Sequence, residues 1–186
     1  MSIHPPPRPR TSSPLAGLAL LYWHIATWRR GPQDVPAVGI LLPLTIAAYV
    51  LLSALIGELL PPVQPSWQVQ LALDVPFMLL WYGVLLAIAG RHERFLQTAS
   101  ALFGVESVLA LPSMVCDFLQ QRFSSDANWQ IPVAIAGFAL LIWMLIAVGN
   151  ILRATLERGL AFCLILAFVQ MLAEIMLLAA ISPARG

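Results

Sequence analysis

Lysine does not occur in this chain, cysteine occurs only twice, and charged residues of either sign make up just 10% of it. Each scarcity excludes something. Soluble domains carry about 25% charged residues, so a chain this poor in charge would have no polar coat in water. In lipid that coat is unnecessary. A net charge of +1 provides no field that would draw nucleic acid. Cys116 and Cys163 fall in separate apolar blocks, expected near opposite membrane faces. A disulfide needs Cα atoms within ~7 Å, so they read as two small hydrophobes and not as a redox framework. The reactive signatures are missing too: there is no GxSxG, HExxH, P-loop or paired CxxC. Ser107, beside Glu106, has no histidine at its depth to act as base. His4, His24 and His92 have no cysteine or carboxylate partners at ligand spacing. These absences point to a non-enzymatic protein without metal or cofactor.

What remains is 60% hydrophobic and falls into blocks. Residues 1–14 are proline-rich, polar and basic, and cannot bury apolar area. They predict a disordered tail. Residues 15–30 are apolar but shorter than the ~20 residues that a span requires, and Arg29 and Arg30 close them. They predict an interfacial amphipathic helix anchored by Trp23 and Trp28. A signal peptide is the rival reading, but an arginine pair stands where a small-residue cleavage site would be needed. Gly31–Pro32 breaks this helix. Asp34 is expected to cap the next one, with Pro36 in its first turn.

Residues 31–186 form the transmembrane domain. Five spans are predicted at 37–60, 69–90, 95–119, 131–152 and 159–181. Each is long enough to cross a hydrocarbon core of ~30 Å at 1.5 Å per residue. The fold class is therefore all-α: a five-span helical bundle preceded by the interfacial helix. Barrel strands are excluded because the blocks lack alternation. Pro43, Pro76 and Pro112 fall inside spans one to three, where each removes a backbone bond. Ser53/Gly57, Gly83/Ala87 and Ser100/Gly104 are small-residue pairs that let helices approach closely.

Arginine sets the expected orientation. Arg8, Arg10, Arg29, Arg30, Arg91, Arg94, Arg153 and Arg158 share one side of a five-pass chain, and only Arg122 and Arg185 fall on the other. Arginine-rich short loops stay cytoplasmic. The expected location is a bacterial inner membrane, with the N-terminus cytoplasmic and the C-terminus periplasmic. Trp67 and Trp129 would then mark the outer interface, while Trp81 and Trp143 lie mid-span as packing residues. Arg29, Arg30, Arg91, Arg94, Arg153 and Arg158 are candidate lipid headgroup contacts.

Function would show in the polar groups set inside the spans. A charge at the bilayer centre costs ~2.5–3.5 kcal/mol on insertion scales. Glu106 falls near the middle of span three, Glu174 in the outer half of span five with Gln170 one turn away, and Asp74 just before Pro76 in span two. No arginine lies at the depth of Glu106 or Glu174. One reading is a proton or cation site made by Glu106, Glu174 and Asp74, open toward the outer face. The other is that each bonds locally and fixes helix packing. The first makes the protein a small proton- or cation-coupled transporter. The second makes it a scaffold or partner subunit, associated with the bilayer and with another membrane protein or a second copy of itself. On sequence alone the scaffold leads. Convergence of the carboxyls on one water-accessible cavity would favour the carrier.

Three stretches, RRGPQDVP (29–36), RFLQTASALFG (94–104) and GNILRATLE (149–157), resemble segments of small, uncharacterised bacterial inner-membrane proteins with a Yip-like five-helix layout. The resemblance covers nearly the whole chain. It implies the five-helix membrane fold and supplies no catalytic residues. The traffic role of eukaryotic Yip proteins does not transfer on layout alone.

Overall fold

Leucine-, alanine- and isoleucine-rich stretches dictate helix wherever hydrocarbon is the solvent, because only helices satisfy their backbone groups within one segment. The computed structural model describes residues 14–60, 66–123 and 126–181. Among them are six α-helices and no strand: α1 (Pro14–Ala26), α2 (Leu41–Leu59), α3 (Trp67–Ile88), α4 (Phe95–Arg122), α5 (Ala127–Leu156) and α6 (Leu160–Ile181). The last five are long and apolar enough to cross a membrane, and the all-α, five-span bundle expected from the sequence is what forms. Residues 1–13 of the expected tail, Arg8 and Arg10 among them, and Arg185 lie outside the described residues; Pro14, placed in the tail by the sequence, begins α1.

The architecture centres on α4, which touches α1, α2, α3 and α5, while α6 closes the bundle against α5 and α3. From Thr98 to Glu106 every residue of α4 is buried, so this stretch is surrounded on all sides. The opposite pattern holds at the perimeter. Leu51, Ile88 and Met176 are each more than 70% exposed, and Leu80, Ile131, Phe138 and Ile165 project outward beside them. A continuous apolar perimeter of this kind suits lipid and not water.

α1 has 13 residues, about 20 Å at 1.5 Å per residue, and so falls short of a ~30 Å core. Leu18, Leu21, Tyr22, Ile25 and Ala26 recur at helical spacing and form its inward stripe. The Tyr22 ring covers Gly104, where a Cβ would lie 2.4 Å from two ring carbons. The Ser100/Gly104 pair thus admits α1 to close contact with α4. The exposed face of α1, including Ala16, Ala19, Leu20 and Trp23, is apolar as well, so its two faces differ in burial more than in polarity. Trp23 packs edge-on against Trp143, with ring centroids 5.7 Å apart, and the Trp143 indole donates to the Ala26 carbonyl at 2.8 Å. Trp143 is thereby the mid-span packing residue expected.

Two local expectations are corrected. Asp34 does not cap α2. It lies in a 3-10 turn (Pro32–Asp34) and accepts from the Gly31 N–H at 3.1 Å. Pro36 follows that turn, and α2 starts only at Leu41 with no side-chain cap. Pro43 consequently sits in the first turn of α2, where its missing N–H costs little, and not in mid-span. α4 and α5 run past the predicted spans, to Arg122 and from Ala127 respectively. Asp126 caps α5 through the Asn128 N–H at 3.0 Å, and the Phe123 and Trp129 rings stack at 5.1 Å.

Candidate functional site

The ends of α2, α3, α4 and α6 that lie opposite the arginine-bearing loops enclose a cleft of about 1260 Å³. Its mouth is held by Glu58 at the end of α2 and Trp67 at the start of α3. The indole N–H of Trp67 donates to Glu58 at 3.2 Å, and the same ring packs where a Cβ on Gly57 would stand. Gly57 has no side chain to keep the tryptophan away, so the two helices close at this corner. From the mouth the walls descend to Tyr49, Asp74 and Glu174. Glu58 to Tyr49 is nine residues of α2, and Trp67 to Asp74 is seven of α3. At 1.5 Å per residue the cleft therefore reaches about 10–13 Å inward, roughly a third of the hydrocarbon thickness.

Apolar surface makes up most of the wall, and the charged groups set in it are of one sign. Glu58, Asp74, Asp117 and Glu174 contribute carboxyl groups, glutamines and serines fill between them, and no described lining residue is basic. At the floor, the Tyr49 hydroxyl donates to Asp74, while its ring leans on Phe103 at 5.5 Å. The carboxyl groups of Asp74 and Glu174 stand side by side there, close enough to perturb one another. An ionised carboxylate only accepts, so a hydrogen bond between the two groups needs a proton on at least one of them. With that bond made, the pair carries at most a single negative charge at the bottom of a water-accessible space.

Glu106 and Gln170 lie deeper. Glu106 is 8% exposed and does not line the cleft, but it is within electrostatic range of both Asp74 and Glu174. Gln170, one turn below Glu174, accepts from the Tyr82 hydroxyl, and both side chains are buried. Of the four polar residues singled out by depth, two meet at the cleft floor and two stand behind it. Pro76 and Pro112, inside α3 and α4, lack the N–H groups that would bind the carbonyls of Ala72 and Val108.

The arginine end is built differently. Arg91 donates to Glu157 at 2.5 and 3.0 Å. Arg94 reaches the same carboxylate at 2.7 Å and also the carbonyls of Ala154 and Thr155, at 3.3 and 3.1 Å. Those carbonyls belong to the last turn of α5, where helices leave acceptors unsatisfied and favour a cation. The guanidinium hydrogen bonds hold the Glu157 carboxyl below its ordinary range. Beneath the clasp, the hydroxyls of Thr98 and Thr155 meet at 3.0 Å, and Gln97 donates to the Val35 carbonyl at 3.1 Å. The stretches 29–36, 94–104 and 149–157 therefore converge at this end. Arg91 and Arg94 have protein partners here, while Arg29, Arg30, Arg153 and Arg158 remain exposed. Asn150 bonds the Ile146 carbonyl of its own helix at 2.9 Å. Among the described residues no group of three or more histidine, cysteine or acidic side chains is disposed to hold a metal ion. Cys116 and Cys163 are free.

Sequence reasoning missed Tyr49, Tyr82 and Glu157. The two tyrosines had a signal, since a mid-span hydroxyl in lipid needs a partner. Glu157 had none, because only the folded bundle brings its loop beside Arg91. Compared with known protein families, curated proteins and solved structures, the chain matches none.

Proposed function

We propose that this chain is a small, non-enzymatic bacterial inner-membrane carrier that takes up a proton or a monovalent cation at the floor of its cleft. The N-terminus would be cytoplasmic and the cleft periplasmic, following the arginine distribution. One observation carries the reading: the Tyr49–Asp74–Glu174 cluster stands, with no basic side chain beside it, at the bottom of a water-accessible space that four carboxyl groups line. A cation entering the cleft meets the adjacent carboxyls and can replace a proton that they hold, which couples the two. The test is flux into liposomes containing the purified protein, read by an interior pH or cation indicator. Asp74→Asn and Glu174→Gln are each expected to cut the flux at least tenfold. Flux in these variants equal to that of the unsubstituted protein, or no flux above empty liposomes from any form, would remove the carrier reading.

A scaffold or partner-subunit role is the second reading. The connections between described helices are short, so a partner would bind within the lipid. Co-purification of a stoichiometric membrane partner in mild detergent, with flux absent, would favour it.

A further inference from the structure

The cleft is open at one end; toward the other the bundle is closed by its packed core, with Arg91, Arg94 and Glu157 clasped over the end of it. Below the floor, the buried polar groups continue toward the arginine end: Glu106, the Tyr82–Gln170 bond, Ser100, and the Thr98–Thr155 contact. Thr98 stands eight residues below Glu106 on α4, about 12 Å along the axis. Thr45, the remaining buried polar side chain, is accounted for by its bond to the Leu42 carbonyl of its own helix. The buried hydroxyls, amide and carboxyl are thus distributed through the depth between the cleft and the clasp.

The clasp itself joins two loops. Arg91 and Arg94 come from the α3–α4 connection and Glu157 from the α5–α6 connection. Each connection turns through a left-handed residue, Gly90 at φ 67° and Glu157 at φ 54°. Glycine adopts that conformation freely, but a glutamate there is strained. The residue that accepts both arginines is the one whose backbone gains by relaxing once they release it. Strain of this kind persists where surrounding contacts over-determine it.

We propose that Arg91, Arg94 and Glu157 form a gate: release of Glu157 parts the α4–α5 seam at Thr98 and Thr155 and opens the arginine end to water. This rests on the carrier reading for its purpose, because a carrier must expose its site to both sides in turn. The movement can be tested without flux.

The experiment uses the full chain in lipid nanodiscs, where both faces are accessible. The native cysteines are replaced (C116S, C163A), and Thr98→Cys is the only thiol. Thr98 is fully buried in the closed form. The rate of its modification by a charged, water-soluble maleimide is then followed. Arg91→Gln and Glu157→Gln are each expected to raise that rate, Glu157→Gln by at least tenfold. The double variant is expected to react no faster than Glu157→Gln alone, since both changes act through one contact. Unchanged melting temperature and elution volume separate gate opening from loss of fold. If a folded Glu157→Gln protein is modified no faster than its parent, or if the two substitutions multiply, the gate is overturned whether or not the protein carries ions. If Thr98→Cys becomes reactive as expected while liposome flux is insensitive to Asp74→Asn, the gate stands and the carrier reading fails.

Discussion

Gly104 offers the sharpest test of the packing that holds α1 in place. A Cβ at this position would lie 2.4 Å from Cδ1 and Cε1 of Tyr22 and 2.6 Å from its Cγ. Carbon atoms rest at about 3.5–4.0 Å, so Gly104→Ala forces the ring back by roughly 1 Å. Rotation of the ring about its own axis gives no relief, because Cγ lies on that axis. Tyr22 must change rotamer or α1 must move. Overpacking of this kind costs about 1–3 kcal/mol, set against the ~1 kcal/mol that alanine gains over glycine within a helix. The expected net loss is therefore up to about 2 kcal/mol. Its form is also predictable. Apolar side chains freed from α4 enter hydrocarbon and not water, so detaching α1 forfeits packing but little hydrophobic energy. The variant should release α1 before the bundle unfolds. Denaturing-detergent titration would give the stability change, and the indole resonance of Trp143, bonded to Ala26, would report release of α1. Gly137→Ala, where nothing lies within 4 Å of the new Cβ, should be neutral or stabilising. Tyr22→Ala should remove most of the cost of Gly104→Ala, a coupling of about 1–2 kcal/mol within the range of contacting pairs. A Gly104→Ala protein as stable as its parent, with Trp143 undisturbed, would refute this account of how α1 docks.

Tyr49→Phe removes a single hydroxyl from the cleft floor, and with it the donor to Asp74; the expected cost in stability is about 0.5–1.5 kcal/mol, with a fall in liposome flux larger than that loss of fold explains. The clasp gives a pH dependence with a definite sign. Its guanidinium hydrogen bonds hold the Glu157 carboxyl below the ordinary glutamate value of about 4.3, so its contribution is complete above that value and is lost as pH falls through the lowered one. Melting temperature between pH 6 and pH 3 should carry a component that disappears in Glu157→Gln; an identical profile in that variant would count against the clasp.

Much of the fold was legible because length and hydropathy alone decide whether a helix crosses lipid. The five blocks became α2 to α6, with shifts only at their ends. Asp34 misled because aspartate before an apolar run is a capping signal, yet here the Gly31 N–H takes its carboxylate first. The site was legible by depth and illegible by direction. Asp74, Glu106, Gln170 and Glu174 stood out as polar groups in greasy helices. Which of them would meet depends on helix rotation, and in lipid the buried and exposed faces are equally apolar. Leu102, fully buried, and Leu51, 71% exposed, are the same residue type in the same kind of block. Periodicity therefore cannot say where α3 and α6 point, and the meeting of Asp74 with Glu174 had to come from the fold.

The distribution of acids along the bundle explains why a cleft exists at all. A lone carboxylate at the centre of a bilayer costs ~2.5–3.5 kcal/mol on insertion scales, and an arginine partner is the usual relief. Arg91 and Arg94 are committed at the far end to Glu157. Asp74 and Glu174 have other means of relief: uptake of a proton, a hydroxyl donor from Tyr49, and the open space of the cleft. Each of these is exchangeable, whereas an ion pair with arginine would fix the carboxylates in one charge state. Filling the cleft with apolar bulk, for example by Ser53→Leu with Ser113→Leu, would take away the water while leaving the pair and Tyr49 intact. If the cleft is what makes the acids tolerable, this protein should be less stable than its parent, and Asp74→Asn or Glu174→Gln in the same background should restore part of the loss. A filled cleft that stabilises the fold with both acids present would show that water plays no part in holding them.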